Sequence, residues 1–158
     1  MALRSFATFH LNEQLFGIDI LLIREINRQL ELSQVPHAPN FVKGLVNLRG
    51  QIVTILDLNN RLALGDSHEK AAMHNIILKT EAEMTQIRER EKRTDLNSSS
   101  DKVGFLVEDI QDVVTVHDTE IRPPLGSVSG IESKYFSGVV QLDNTLLSIL
   151  NVKKIIED

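Results

Sequence analysis

Residues 41–62 read Phe-Val-Lys-Gly-Leu-Val-Asn-Leu-Arg-Gly-Gln-Ile-Val-Thr-Ile-Leu-Asp-Leu-Asn-Asn-Arg-Leu. Two runs of β-forming residues are split by Arg49-Gly50. Leu45, Val46 and Leu48 lead in; Ile52, Val53, Ile55, Leu56 and Leu58 lead out. This pattern predicts a β-hairpin, with Gly50 taking backbone angles that a Cβ disfavours. The middle of the chain is thereby committed to sheet. Arg49 falls at a strand end beside a tight turn, and a planar guanidinium on a rigid mount suits recognition of another protein's carboxylates or carbonyls. Taken alone, the hairpin is more simply read as a turn with an ordinary solvated arginine.

The rest of the chain extends the same signal. Residues 6–11 and 15–18 flank the polar Asn12-Glu13-Gln14 and predict a first hairpin. Further strands are expected at 29–35, ended by Pro36, then at 75–80, 103–110 and 113–117. A final hairpin is expected from 135–142 and 145–150 around Asp143-Asn144, and 152–157 reads as a helical turn. Nine or ten strands at this spacing suit an all-β barrel or sandwich. The core must be built mainly from Val, Ile and Leu, because the chain has six Phe, one Tyr and no Trp.

Two stretches break the strand pattern. Asp19 is a candidate N-cap, and 20–26 predicts a short helix. At about 100° per residue Leu21, Leu22 and Ile26 cluster on one side, with Ile20 and Ile23 pointing away. Apolar residues on two sides imply double burial or docking of a partner. Ile20 is expected to be buried between two subdomains and Ile23, beside Arg24 and Glu25, to be exposed. The second stretch, 81–102, is rich in Glu, Arg, Lys, Asp, Asn and Ser, with Ala82, Met84, Ile87 and Leu96 as its apolar residues. It is expected to bury little surface and to form a mobile polar insertion, in part a protruding helical arm.

Sequence features for catalysis are scarce. The five histidines fall at unrelated spacings, so no metal site is expected. The chain has no cysteine, which removes disulfides, thiolate metal sites and a cysteine nucleophile. No phosphate-cradling glycine loop or Gly-x-Ser-x-Gly appears. In the pair Glu108-Asp109, neighbouring strand side chains point to opposite faces. A net charge of −5 argues against nucleic acid as a partner. No apolar run reaches the roughly 20 residues of a membrane helix, and no signal peptide is apparent, so a cytoplasmic protein without membrane insertion is expected. These features favour a binding module without enzyme activity or cofactor.

Phe16-Gly-Ile-Asp-Ile20, Ile23-Arg-Glu-Ile26, Val35-Pro36, Pro39-Asn-Phe-Val-Lys-Gly44, Asn47-Leu-Arg-Gly50 and Asp57-Leu58 occur in that order. Gly104-Phe-Leu-Val-Glu-Asp109, Ile121-Arg-Pro123 and Tyr135-Phe-Ser-Gly138 follow. Together they resemble the CheW-like coupling domain of bacterial chemotaxis, over nearly the whole chain. The resemblance implies one CheW-like domain over 1–158, made of two intertwined five-stranded SH3-like β-barrel subdomains with short helices. It implies a non-enzymatic adaptor linking the cytoplasmic tip of chemoreceptors to the regulatory domain of a CheA-type histidine kinase, recruited to membrane-associated receptor clusters. On matching positions it places receptor contact at Ile23, Glu25, Gly44, Asn47 and Arg49, and kinase contact at Ile52 and Arg122, with Leu125 beside them. Asn59 departs from the arginine usual after the aspartate-leucine pair, and 81–102 is longer than the usual turn. A regulatory or sequestering member of another chemosensory branch is the alternative. A β-barrel ligand carrier, with a cavity lined by His37, Glu108 and Arg122, is a third.

Overall fold

The computed structural model describes residues 2–28, 31–64, 73–124, 126 and 130–157. The chain begins with β1 (Leu3–Leu11) and β2 (Gln14–Asp19). It leaves them for β3 (Ile23–Arg28), β4 (Val42–Leu48), β5 (Gln51–Asp57), β6 (Met73–Leu78) and β7 (Val103–Glu108). It returns with β8 (Val114–His117), β9 (Phe136–Gln141) and β10 (Leu146–Leu150). Three helices, α1 (Leu58–Arg61), α2 (Glu81–Glu91) and α3 (Val152–Glu157), follow β5, β6 and β10. Sheet one runs β8-β1-β2-β10-β9, and sheet two runs β3-β6-β7-β5-β4. Sheet two is therefore threaded into the interior of sheet one's sequence, which gives the two subdomains their intertwined connectivity.

The strands alternate between two kinds of core. Between the sheets, Phe9, Phe16, Ile18, Phe136 and Leu150 of sheet one meet Leu56, Ile76, Leu78, Phe105 and Val107 of sheet two. Phe16 stacks on Phe9 and Phe136 with ring centroids 6.4 and 6.2 Å apart. On the other face of sheet one lie Phe6, Leu15, Val116, Val140, Leu147 and Ile149. The corresponding face of sheet two carries Val46, Val53, Ile55, Ile77 and Leu106. Central strands thus have no solvent face, and all six residues of β7 are buried. Near-continuous apolar runs follow from that geometry.

Three sequence expectations change. The stretch 20–26 is no helix: Ile20–Leu22 make one 3-10 turn, capped by Asp19 accepting from the Leu21 amide at 3.0 Å, and β3 begins at Ile23. The change of period moves the side chains. Ile20 is 40% exposed, whereas Ile23 is half-buried against the inter-sheet core. The strand expected over 29–35 reduces to a single bridge, Ser33 to Leu45, with Gln29 and Leu30 outside the described residues. Pro36 opens a turn instead of continuing a ladder: His37 has φ 63°, and the Ala38 amide donates to the Val35 carbonyl at 3.4 Å.

The third change concerns 81–102. The segment folds and docks. Met84, Ile87 and Leu96 are buried in the inter-sheet core. Met84 and Ile87 stand three residues apart on one helix face, so a few apolar residues suffice to anchor α2. Its polar residues are engaged as well. Glu83 takes Arg24 of β3, and its carboxylate also accepts from the Thr80 amide at 3.1 Å. Arg93 Nη1 lies 3.1 Å from Asp19 Oδ2, and Asp95 pairs with Arg4. Ser98 Oγ donates to the Lys79 carbonyl at 2.6 Å, closing the base of the loop.

Met84→Ala is expected to lower unfolding stability by about 2–4 kcal/mol in urea titrations, and a loss under about 0.5 kcal/mol would show that α2 does not pack as described. Burial pushes the Glu83 carboxyl up, but its hydrogen bonds to Arg24 and Thr80 outweigh this and hold it below the ordinary 4.5. Its stabilisation is therefore present above about pH 4.5 and lost as pH falls through the lowered value. Glu83→Gln should cost under about 1 kcal/mol at neutral pH, as for an exposed pair, and the difference from the parent should shrink towards about pH 3. A constant difference across that range would contradict the charge-based account.

Candidate functional site

The sequence-singled hairpin forms. β4 and β5 pair from Leu48↔Gln51 to Val42↔Leu56, leaving Arg49-Gly50 as a two-residue loop. Both loop residues have positive φ, 51° and 83°. That is the twist a right-handed ribbon requires of a tight type I′ turn. Arginine at its first position carries local strain that asparagine or glycine would avoid. Asn47 supports the turn, its Oδ1 accepting from the Gly50 amide at 2.9 Å.

Arg49 reaches across to Glu25 of β3 and forms an ion pair with it. β3 and β4 are the two edges of sheet two, so this contact spans the ends of the curled sheet. The pair is asymmetric: the Arg49 side chain is 69% exposed and that of Glu25 23%. Glu25 fixes one end of the guanidinium and leaves the remaining donors facing outward.

Gly44 has a packing role at this site. It is buried opposite Ile55, and the 32–33 strap crosses over it. Ser33 and Leu45 exchange two backbone hydrogen bonds of 2.8 Å. A Cβ on Gly44 would come within 2.7 Å of the Ser33 carbonyl oxygen. Ile23 and Glu25 lie on one strand, and Asn47 and Arg49 on the facing edge hairpin. The structure brings Ile23, Glu25, Gly44, Asn47 and Arg49 to one end of sheet two.

The expected kinase residues are distributed differently. Ile52 is 55% exposed and sits directly opposite Asn47 in the β4–β5 ladder. Arg122 belongs to the other subdomain. It is exposed and bonded through its backbone to Val139 of β9, at 2.9 and 2.8 Å. Leu125 lies outside the described residues.

Other polar residues have structural roles that sequence reasoning did not foresee. The Arg61 guanidinium lies between the Phe41 and Tyr135 rings, 5.1 and 5.2 Å from their centroids, and donates to the Ile155 carbonyl at 2.8 Å. It ties α1 to the other subdomain and to α3 across 74 and 94 residues of chain, which leaves no local signal. Asn59 is buried and donates to Glu108 at 3.4 Å. Burial pushes the Asp57 carboxyl above its ordinary range, against the pull of the Asn60 amide. A groove of about 540 Å³ opens between sheet one, α3 and the 93–97 loop, and among the described residues lining it are none of His37, Glu108 and Arg122. Among the described residues no group of three His, Asp or Glu is placed to hold a metal ion, and no helix is long and apolar enough to cross a membrane.

A family model described as CheW-like domain matches residues 5–158. Proteins named chemotaxis protein CheW are similar along almost the whole chain. The one from Thermotoga maritima is 29% identical over 151 residues, covering 96% of this chain and 86% of that protein. The one from Rhizobium meliloti is 28% identical over 152 residues, covering 96% and 86%. The one from Treponema pallidum is 27% identical over 151 residues, covering 94% and 79%. The crystal structure of the scaffolding protein TtCheW from Thermoanaerobacter tengcongensis superposes with a TM-score of 0.80 at 23% identity, covering all of this chain and 90% of that one.

The turn geometry separates stability from recognition at one residue. Arg49→Gly removes the ion pair, worth about 0–1 kcal/mol, while relieving the positive-φ strain at this position. Its unfolding stability is expected to stay within about 1 kcal/mol of the parent. A loss above about 2 kcal/mol would show that the Glu25–Arg49 contact is a principal support of sheet two.

Proposed function

The chain belongs to the CheW-like domain family, and from that membership we propose that it is a non-enzymatic adaptor coupling chemoreceptors to a CheA-type histidine kinase. The observation that carries this reading is the Glu25–Arg49 clamp. A guanidinium is oriented by a carboxylate, mounted on a rigid turn and still largely exposed. Around it Ile23 offers apolar surface and Asn47 a neighbouring polar edge. Together with Gly44, which lets the strap close down, they form the surface assigned to the receptor's cytoplasmic tip. Partner interfaces of this kind place apolar residues centrally and use rim charges to set orientation.

The kinase reading rests on two separate exposed surfaces, one around Ile52 and one around Arg122; Leu125, proposed with them, lies outside the described residues. A regulatory domain of the same fold would meet strands of either subdomain there. Because Ile52 stands opposite Asn47, the kinase and receptor surfaces adjoin across one strand pair. Adjoining surfaces suit an adaptor whose two partners sense each other. The place of action is the cytoplasmic face of receptor clusters, reached through the partners.

A sequestering member that binds kinase alone is the second reading. What favours it is α2, which packs against β3 next to Ile23; the exposure of Arg49 favours the adaptor. Titration calorimetry separates them, using the regulatory domain of the CheA-type kinase and receptor tip fragments from the same genome. The adaptor binds both, and Arg49→Ala weakens the receptor arm at least about tenfold, or 1.4 kcal/mol, leaving the kinase arm unchanged. Kinase binding with no receptor binding would establish sequestration, and binding to neither would refute both readings.

A further inference from the structure

The docked segment 81–102 departs from and returns to the end of sheet two that carries the clamp. β6 ends at Leu78, which stands opposite Ile23. The next residue, Lys79, donates its amide to the Leu22 carbonyl at 2.8 Å and its ammonium to the Leu21 carbonyl at 3.1 Å. On return, the Lys102 carbonyl accepts from Thr54 of β5 at 3.0 Å. Both stalks of the insertion therefore rest on the strands that hold Ile23, Glu25 and the Arg49 turn.

α2 is also fixed in rotation. Met84 and Ile87 are buried beneath it, and Glu83 holds Arg24, the residue between Ile23 and Glu25. Gln86 and Arg90 follow Glu83 by three and seven positions, so all three lie in one row along the helix. Gln86 and Arg90 are exposed, with 67% of the Arg90 side chain accessible. The row begins beside β3 and runs away from it to Arg90, whose exposed guanidinium lies 3.5 Å from Glu91 and keeps further donors towards solvent.

We propose that α2 is a specificity-determining wall of the receptor site, and that Gln86 and Arg90 contact the same receptor tip that Arg49 engages. This rests on the adaptor reading above. The chemistry of the surface specifies the occupant. The aliphatics Ile20 and Ile26 are exposed and Ile23 half-exposed along this stretch, and the Arg49 and Arg90 side chains are both largely exposed. Such a surface fits an α-helical protein segment with an apolar stripe flanked by carboxylates spaced to meet both arginines. Receptor tips that lack the outer carboxylate would engage Arg49 alone and bind less tightly.

The test measures dissociation constants for recombinant cytoplasmic tip hairpins of each chemoreceptor of the same genome. They are titrated against the parent chain, Arg90→Glu, Gln86→Glu and Arg49→Ala. Thermal unfolding and kinase-domain binding of the two α2 variants should match the parent, since both side chains are solvent-facing. The wall predicts that Arg90→Glu weakens the tightest tip at least about fivefold at moderate salt, Gln86→Glu moves it in the same direction, and the order of preference among tips narrows. If Arg49→Ala abolishes binding while both α2 variants bind every tip like the parent, the wall is refuted and the adaptor stands. If no tip binds the parent chain, the adaptor reading and the wall fall together.

Discussion

Everything in this molecule depends on burying the two sheets against each other. The inter-sheet core takes Phe9, Phe16 and Phe136 from one side and Phe105 from the other, flanked by branched aliphatics. At about 1.5–3 kcal/mol for each fully buried large side chain, this layer is the principal favourable term. It also dictates the connectivity. Because β3 to β7 are inserted between β2 and β8, sheet one is completed only after the whole of sheet two has been passed in the chain. The two subdomains share a core, so a disturbance in one reaches the other through packing. An adaptor with partner surfaces on both subdomains has a physical path between them in that layer.

The outward-facing chemistry sits at the periphery of this core and is held by small devices. The Glu25–Arg49 pair spans the edges of sheet two, Asn47 supports the turn below it, and Gly44 makes room for the strap. None of these is worth much as stability. Their common effect is to hold one guanidinium in one place with its free side outward. Arginine in a positive-φ turn position, where asparagine or glycine is the easier choice, is a local cost. On the opposite flank, α2 is locked by buried aliphatics and by Arg24, Arg93 and Arg4 pairs, so its exposed row has a fixed direction.

Much of the sheet structure was legible because its signals are local. The Asn12-Glu13 and Arg49-Gly50 turns announce themselves by residue type, and period-two alternation around them fixes the strands. The place of Arg49 in the hairpin turn was legible for the same reason. The misread elements depend on distant partners. In 20–26 the run of aliphatics resembles a helix, yet Ile23 is drawn into a ladder with Leu78, more than fifty residues later. In 81–102 the few apolar residues suggested little burial. They join the core shared by both sheets, and Arg88 and Arg93 are matched by Glu81, Asp19 and Asp95. Arg61 illustrates the same rule, since its aromatic partners are remote in sequence. Glu25 was recognisable by resemblance, whereas its pairing with Arg49 required the closed sheet to be seen.

The central claim is that one chain transmits between receptor and kinase, which is more than binding each. The most direct measurement is ATP turnover by the CheA-type kinase reconstituted with membrane-inserted receptors, with and without this chain. The account predicts that the chain raises kinase turnover many-fold over kinase and receptor alone, and that a receptor agonist or antagonist then alters that turnover. If both partners bind but turnover neither rises nor responds to receptor ligand, the chain is not the coupling element and the account is contradicted.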